Sequence, residues 1–252
     1  VRIVRFRVAG RTRYGVLEGP QVVECSGTPF TTFRRSRRRY PVRQVVLLAP
    51  VLPSKIVGVG LNYRSHATEL GLPVPQEPLL FFKPPSAVVG PEDPIVYPAQ
   101  SRRVDYEGEL AVVIRRRCRS VPRARVREVV LGYTCLNDVT ARDLQSRDRH
   151  PARAKAFDTF CPLGPCIATD IDPTDVAVET WVNGERRQCG STRDLIFPVD
   201  DLVVRISEIM TLLPGDVIAT GTPAGVGPLR PGDRVEVRIE GIGALANPVV
   251  KV

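Results

Sequence analysis

Asp105-Tyr106-Glu107-Gly108-Glu109-Leu110-Ala111-Val112-Val113-Ile114 sets three carboxylates at alternate positions directly ahead of an unbroken apolar run. In an extended chain residues i, i+2 and i+4 share a face, so the three acids point one way, roughly 6.6 Å apart at about 3.3 Å rise per residue. Two such charges repel by about 2.5 kcal/mol at an effective dielectric near 20 and by about 0.6 kcal/mol in bulk water. The apolar run reads as a buried strand, and acids drawn into such surroundings call for a cation. The alternative is a charged strand edge left in water.

Asn137-Asp138 follows about thirty residues later, after the apolar run Val129-Val130-Leu131-Gly132-Tyr133-Thr134-Cys135-Leu136. At the end of a strand the Asp138 side chain can reach a site; otherwise it caps a helix beginning near Thr140. The chain has only two histidines, His66 and His150. Zinc centres built on two or three imidazoles are therefore excluded, and oxygen ligands remain. Carboxylates suit Mg²⁺ or Mn²⁺, which prefer six-coordination, so three protein ligands leave room for a chelating 2-oxo acid and a water.

The 252 residues can bury a core as one catalytic domain with a small appendage. Residues 1–50 read as an N-terminal accessory segment without acids or histidines suited to catalysis, and residues 51–252 as the catalytic domain. There is no apolar run long enough to span a bilayer, and Val1-Arg2-Ile3-Val4-Arg5-Phe6 alternates like a first strand. A cytoplasmic protein without membrane contact is expected. Six cysteines include no C-x-x-C pair and read as reduced thiols. The net charge of +9 rests almost wholly on arginine, with lysine only at Lys55, Lys83, Lys155 and Lys251. Basic runs such as Arg34-Arg35-Ser36-Arg37-Arg38-Arg39 lack interleaved aromatics and read as solvated surface, so nucleic acid is not an expected partner. An arginine-rich nucleic-acid-binding protein is the competing class, and it predicts salt-sensitive binding.

Turn-then-strand signals at Leu213-Pro214-Gly215-Asp216-Val217-Ile218 and Arg230-Pro231-Gly232-Asp233-Arg234-Val235 make most of the core β. Helical spacing is confined to Pro122–Val130, Thr140–His150 and Asp201–Leu212, too sparse for repeated βαβ units. The expected class is mixed α+β, mainly β, with a few short helices.

Six blocks then carry a resemblance: Gly58-Val59-Gly60-Leu61-Asn62-Tyr63 with His66 and Glu69; Phe81-Phe82-Lys83-Pro84; Asp105 to Leu110; Asn137 to Gln145; Phe157 to Pro165; and Thr220-Gly221-Thr222-Pro223-Ala224-Gly225-Val226-Gly227. In order and at ordinary spacing over about residues 51–252, they resemble the fumarylacetoacetate hydrolase family. The resemblance implies a β-sandwich or roll, a homodimer, and Mg²⁺ or Mn²⁺ held at Glu107, Glu109 and Asp138, with Asp105 behind them. It also implies catalytic roles for His66, Glu69 and Lys155, and substrate contacts from Arg142, Gln145 and Thr222.

His66 and Glu69 lie three apart, on one face of a helical turn, where Glu69 can orient an imidazole that draws a proton from water; an exposed helix pair is the plain alternative. Lys155 otherwise reads as a surface lysine, and Thr222 as a turn residue with a satisfied hydroxyl. Gly58, Gly60, Gly71, Pro73 and Pro75 flank the His66 segment, as in a lid. The expected activity is metal-assisted chemistry on a small 2-oxo acid through an enolate, foremost carbon–carbon hydrolysis of an acylpyruvate. A 2-hydroxyhepta-2,4-diene-1,7-dioate isomerase or decarboxylase of aromatic catabolism, including oxaloacetate decarboxylation, is the alternative.

Overall fold

The computed structural model describes residues 1–148 and 150–251. Its architecture follows from the apolar run after Glu109. Gly108–Ile114 is a strand buried along its whole length, as an unbroken apolar stretch requires. Leu110, Val112 and Ile114 pack with Val178, Val237, Ile239 and Leu245 of a facing sheet. Ala111 and Val113 turn the other way, against Val51, Ile56, Leu136 and Leu163.

This strand lies within a twelve-stranded sheet, between Val130–Asn137 and Val217–Ala219. On one side the sheet continues through Cys161–Ala168 to the N-terminal meander Arg2–Val8, Arg11–Glu18, Gln21–Gly27 and Phe33–Pro41. On the other it runs through Ile56–Gly60 to an edge at Leu79–Lys83. The facing sheet comprises Glu185–Ser191, Ala177–Val182, Arg234–Ile239, Gly243–Lys251 and Ile95–Tyr97. A three-stranded piece, Thr140–Ala141, Val104–Tyr106 and Gly227–Leu229, completes the β structure. The arginine-rich stretch 34–39 lies in the edge strand Phe33–Pro41, most of it exposed.

Both Pro-Gly-Asp turns lead into strands, at Val217–Ala219 and Arg234–Ile239. The helices are shorter than their apolar spacing suggests. Over Pro122–Val130 a 3₁₀ turn, Arg123–Arg125, runs into the single α-turn Val126–Val129. The expected helix over Thr140–His150 begins as a strand, Thr140–Ala141, and is helical at Arg142–Arg147; Arg149 lies outside the described residues. The third helix is Val199–Ile209, burying Leu202, Val203 and Ile206. It stops short of Leu212 because the backbone turns extended at Met210, and Leu212 pairs with Cys118 across a bridge. Ile209, at the end of this helix, is 60% exposed. Among the described residues no helix is long and apolar enough to cross a membrane.

Candidate active site

The pairing of Gly108–Ile114 with Val130–Asn137 creates the site. Gly108 lies opposite Asn137, so Glu107 and Asp138 meet where the two strands end, and Asp138 N–H donates to the Glu107 carbonyl at 2.8 Å. Gly108 is obligatory between the two glutamates: a Cβ there would stand 2.1 Å from Thr180 Oγ1 of the facing sheet. Alternation is broken at this point. Val104–Tyr106 belongs to the three-stranded piece and Gly108–Ile114 to the large sheet, with Glu107 at the joint. Asp105 is thus separated from the group that Glu107 and Glu109 form with Asp138, whose ligand oxygens lie within 4.8 Å of one another.

All three acids are buried, and much of the cation they need comes from the chain itself. Lys155, at the end of the short helix Ala152–Lys155, donates to Glu107 at 2.9 Å and to Asp138 at 2.6 Å. Lys83, fully buried on the edge strand, donates to the other Asp138 oxygen at 2.6 Å and to the Val139 carbonyl at 3.1 Å. Arg142 donates through Nε to Asp105 at 2.9 Å and through its two amino groups to Gln145 and Glu107. Burial pushes the Glu107 carboxyl up, but Lys155 and Arg142 outweigh it and hold the group at about 2. Burial pulls the Lys155 ammonium down, and Asp138 and Glu107 more than restore it.

Glu109 is the exception. Its one hydrogen-bond donor among the described residues is the Gly221 N–H, at 2.8 Å. Burial, then Asp138 and Glu107, drive its carboxyl well above the usual range. Three convergent oxygen donors, one lacking a positive partner, fit a small hard divalent ion.

The acids form the inner end of a cavity of about 620 Å³ that also takes in His66, Arg142, Gln145, Lys155 and Thr222. His66 and Glu69 sit on the helix Arg64–Leu70, with Nδ1 2.9 Å from Glu69 Oε2. An ionised carboxylate can only accept, so Nδ1 carries the hydrogen and Nε2 is left as the basic nitrogen. The other Glu69 oxygen accepts from the Gly225 N–H at 3.0 Å, tying the pair to the turn after Thr222. Phe81 closes the wall beside Lys155, its ring 4.8 Å from the ammonium. Gly58 permits this, since a Cβ there would lie 2.2 Å from the Phe81 ring.

The structure therefore brings eight of the nine singled-out residues to one cavity, with Glu69 held behind His66, and the surroundings of Asp138, Arg142 and Thr222 bear on how each was read in the sequence. Asp138 caps no helix; the helix at Arg142 has Ala141 at its start with no side-chain cap, and the Asp138 carboxylate is taken up by two lysines. Arg142, expected to grip a substrate carboxylate, has its guanidinium engaged by Asp105, Glu107 and Gln145. The Thr222 hydroxyl donates to the Gly108 carbonyl at 2.9 Å and accepts from Gln188 Nε2 at 2.8 Å, which fits the turn reading.

Gln188 escaped sequence reasoning. Its amide oxygen accepts from Gly108 N–H at 3.0 Å while its nitrogen holds Thr222 and the Pro223 carbonyl, so one buried side chain locks the acidic strand to the Thr222 turn. It follows exposed Glu185, Arg186 and Arg187 in a polar hairpin, and its inward direction is the only signal. Asn62 likewise clamps Phe197 and Thr220.

Fold and site together define an enzyme of known type. The family described as Fumarylacetoacetate (FAA) hydrolase C-terminal matches residues 55–250, and one described as Rv2993c-like, N-terminal, matches residues 1–50. The chain belongs to the fumarylacetoacetate hydrolase family, whose members are enzymes. Mitochondrial oxaloacetate tautomerase of Homo sapiens is 44% identical over 223 residues, 83% of this chain and 71% of the human one. The structure of 5-carboxymethyl-2-hydroxymuconate delta-isomerase from Mycobacterium smegmatis matches with a TM-score of 0.94 and 46% identity over 100% of both chains. Maleylpyruvate hydrolase from Sphingobium sp. SYK-6, in complex with manganese(II) and pyruvate, matches with a TM-score of 0.83 and 35% identity over 100% of this chain and 99% of that one. The mainly β class expected from the sequence is the fold these structures share.

Proposed function

We propose that the chain is a Mg²⁺- or Mn²⁺-dependent hydrolase that cleaves a carbon–carbon bond in acylpyruvate-type 2-oxo acids. The observation that carries this reading is the His66–Glu69 pair, hydrogen-bonded at 2.9 Å, with His66 lining the same cavity as the three acids. Glu107, Glu109 and Asp138 would hold the ion, and its charge would stabilise an enolate as the bond breaks. His66 takes a proton from water through Nε2, and Glu69 holds the ring in the tautomer that makes this possible. Lys155, kept charged by Glu107 and Asp138, donates to the oxygen on which charge accumulates. Arg142 fixes Glu107 through Asp105 and Gln145, so the acid cannot swing away from the cavity.

A second reading, isomerisation or tautomerisation of the same class of acid, is favoured by the similarity to the delta-isomerase and the oxaloacetate tautomerase. There the imidazole moves a proton between substrate atoms instead of taking one from water. The assay that separates them supplies acetylpyruvate, oxaloacetate and a 2-hydroxymuconate to the purified chain with Mg²⁺. Release of pyruvate and acetate in equal amounts supports hydrolysis. Absorbance change without cleavage supports the second reading. A homodimer acting on a small 2-oxo acid belongs to this proposal, and sedimentation of the purified chain tests the oligomeric state.

A further inference from the structure

The cavity has a second end that the reaction leaves unused. A pyruvyl head has only six heavy atoms, fewer than a cavity of about 620 Å³ can hold. The remainder is walled largely by Leu70, Leu72, Pro78, Leu79, Leu80 and Phe81. Leu70 and Leu72 come from the end of the His66 helix and the turn after it, Leu79 from the edge strand, and they are 52%, 50% and 56% exposed. Three half-exposed leucines converging on one concavity form apolar surface waiting for an apolar occupant.

Charge decides against the other kind of occupant. Among the described residues lining the cavity the cations are Arg142 and Lys155, and each already donates to carboxylates of the chain. Asp148 also lines the cavity, paired with Arg153. A second carboxylate on the substrate, carried past the inner end, would lose water against the leucines and, among the described residues lining the cavity, meet no cation without a carboxylate partner.

We propose that the site selects 2,4-dioxo acids whose acyl group is an apolar chain over those ending in a second carboxylate. This rests on the hydrolase reading for the reaction, though not for the binding preference. In the reaction water oxygen bonds to C4 while His66 takes its proton, the C3–C4 bond breaks with its electron pair remaining on C3, and a proton returns to C3. The products are pyruvate and the tail's carboxylic acid, with no net oxidation. Each methylene of the tail buried among the leucines strengthens binding by about fourfold.

The test uses the full chain loaded with Mn²⁺ and two probes that lack the C4 carbonyl and so are not cleaved, 2-oxooctanoate and 2-oxooctanedioate. Calorimetric titration is expected to show the monoacid binding at least about tenfold tighter. Leu72→Arg and Leu79→Arg, both at exposed positions, are each expected to narrow that ratio by about fivefold or more by supplying the missing cation. Turnover of 4-methylpentanoylpyruvate against the similarly sized succinylpyruvate is expected to show the same order of preference in kcat/KM. Equal or tighter binding of the diacid overturns the proposal, as does a ratio unmoved by both arginine variants. A preference for the monoacid without cleavage of any acylpyruvate sinks the hydrolase reading and leaves tail selection standing.

Discussion

At the inner end of the cavity Glu107, Glu109 and Asp138 are nearly sealed from solvent, with Glu107 and Asp138 interlocked with Lys83, Lys155 and Arg142; at its mouth Leu70, Leu72 and Leu79 stand half in water. The inner end is held by charge-assisted hydrogen bonds from several elements, each fixing the next, which costs little reorganisation when charge develops. The mouth depends on area alone, which is non-directional and tolerant of shape. Chemistry and selection are thus separated along one axis. Changes at the inner end should abolish function while sparing the fold, whereas changes at the mouth should retune which acid is accepted.

The largest effect is expected from Glu109→Gln. An amide is a poor ligand for a hard ion, so metal content and turnover should fall together, by more than the roughly 10- to 100-fold typical of losing an outer partner. The metal-free variant should melt no lower than the metal-free wild type at neutral pH. Burial and its acidic neighbours hold the Glu109 carboxyl well above its usual range, so its ionisation opposes folding increasingly as pH rises above about 4.5. Metal analysis and melting curves in chelator check both halves, and a variant with full metal content would remove Glu109 from the site.

His66→Ala should lower acylpyruvate hydrolysis by about 10²- to 10⁴-fold while leaving metal affinity nearly intact. If the chain also decarboxylates oxaloacetate, that reaction, which needs no activated water, should survive. Undiminished hydrolysis by a metal-replete variant would move the base role to another group.

A smaller, graded effect is expected with pH. Protons and the divalent ion compete for Glu109, so Mn²⁺ affinity should climb by up to about tenfold per pH unit above the ordinary carboxylate range, then level once that group is ionised. Affinity independent of pH between about 5 and 8 would contradict the raised position of this carboxyl.

At the mouth, the segment His66–Gly71 should gain hydrogen-exchange protection on binding oxalate or pyruvate with Mg²⁺, since it is the end of a short helix with Leu70 half-exposed and Glu69 bonded to Gly225. Equal protection with and without ligand would end the idea of a closing lid. The smallest effect is on stability: Leu79→Ala, at an exposed position, should change it by about 0.5 kcal/mol or less.

Much of this was legible in local pattern. The apolar run Leu110–Ile114 announced a strand buried on both faces, the Pro-Gly-Asp turns announced strands, and the i, i+3 spacing of His66 and Glu69 announced a pair, because each depends on nearest neighbours along the chain. Spacing alone could not decide which of Asp105, Glu107 and Glu109 act together, because alternation assumes one continuous strand and the chain passes between two sheets at Glu107. The register that sets Gly108 against Asn137 brings Asp138 to Glu107 across some thirty residues of sequence, and that register is a property of the assembled sheet. The same holds for the cations. Whether buried acids are met by a metal or by the chain's own lysines depends on where Lys83 and Lys155, far apart in sequence, arrive in space. Residue chemistry and local periodicity were written in the sequence; the partners, and with them the charge state and reach of each functional group, were decided by long-range packing.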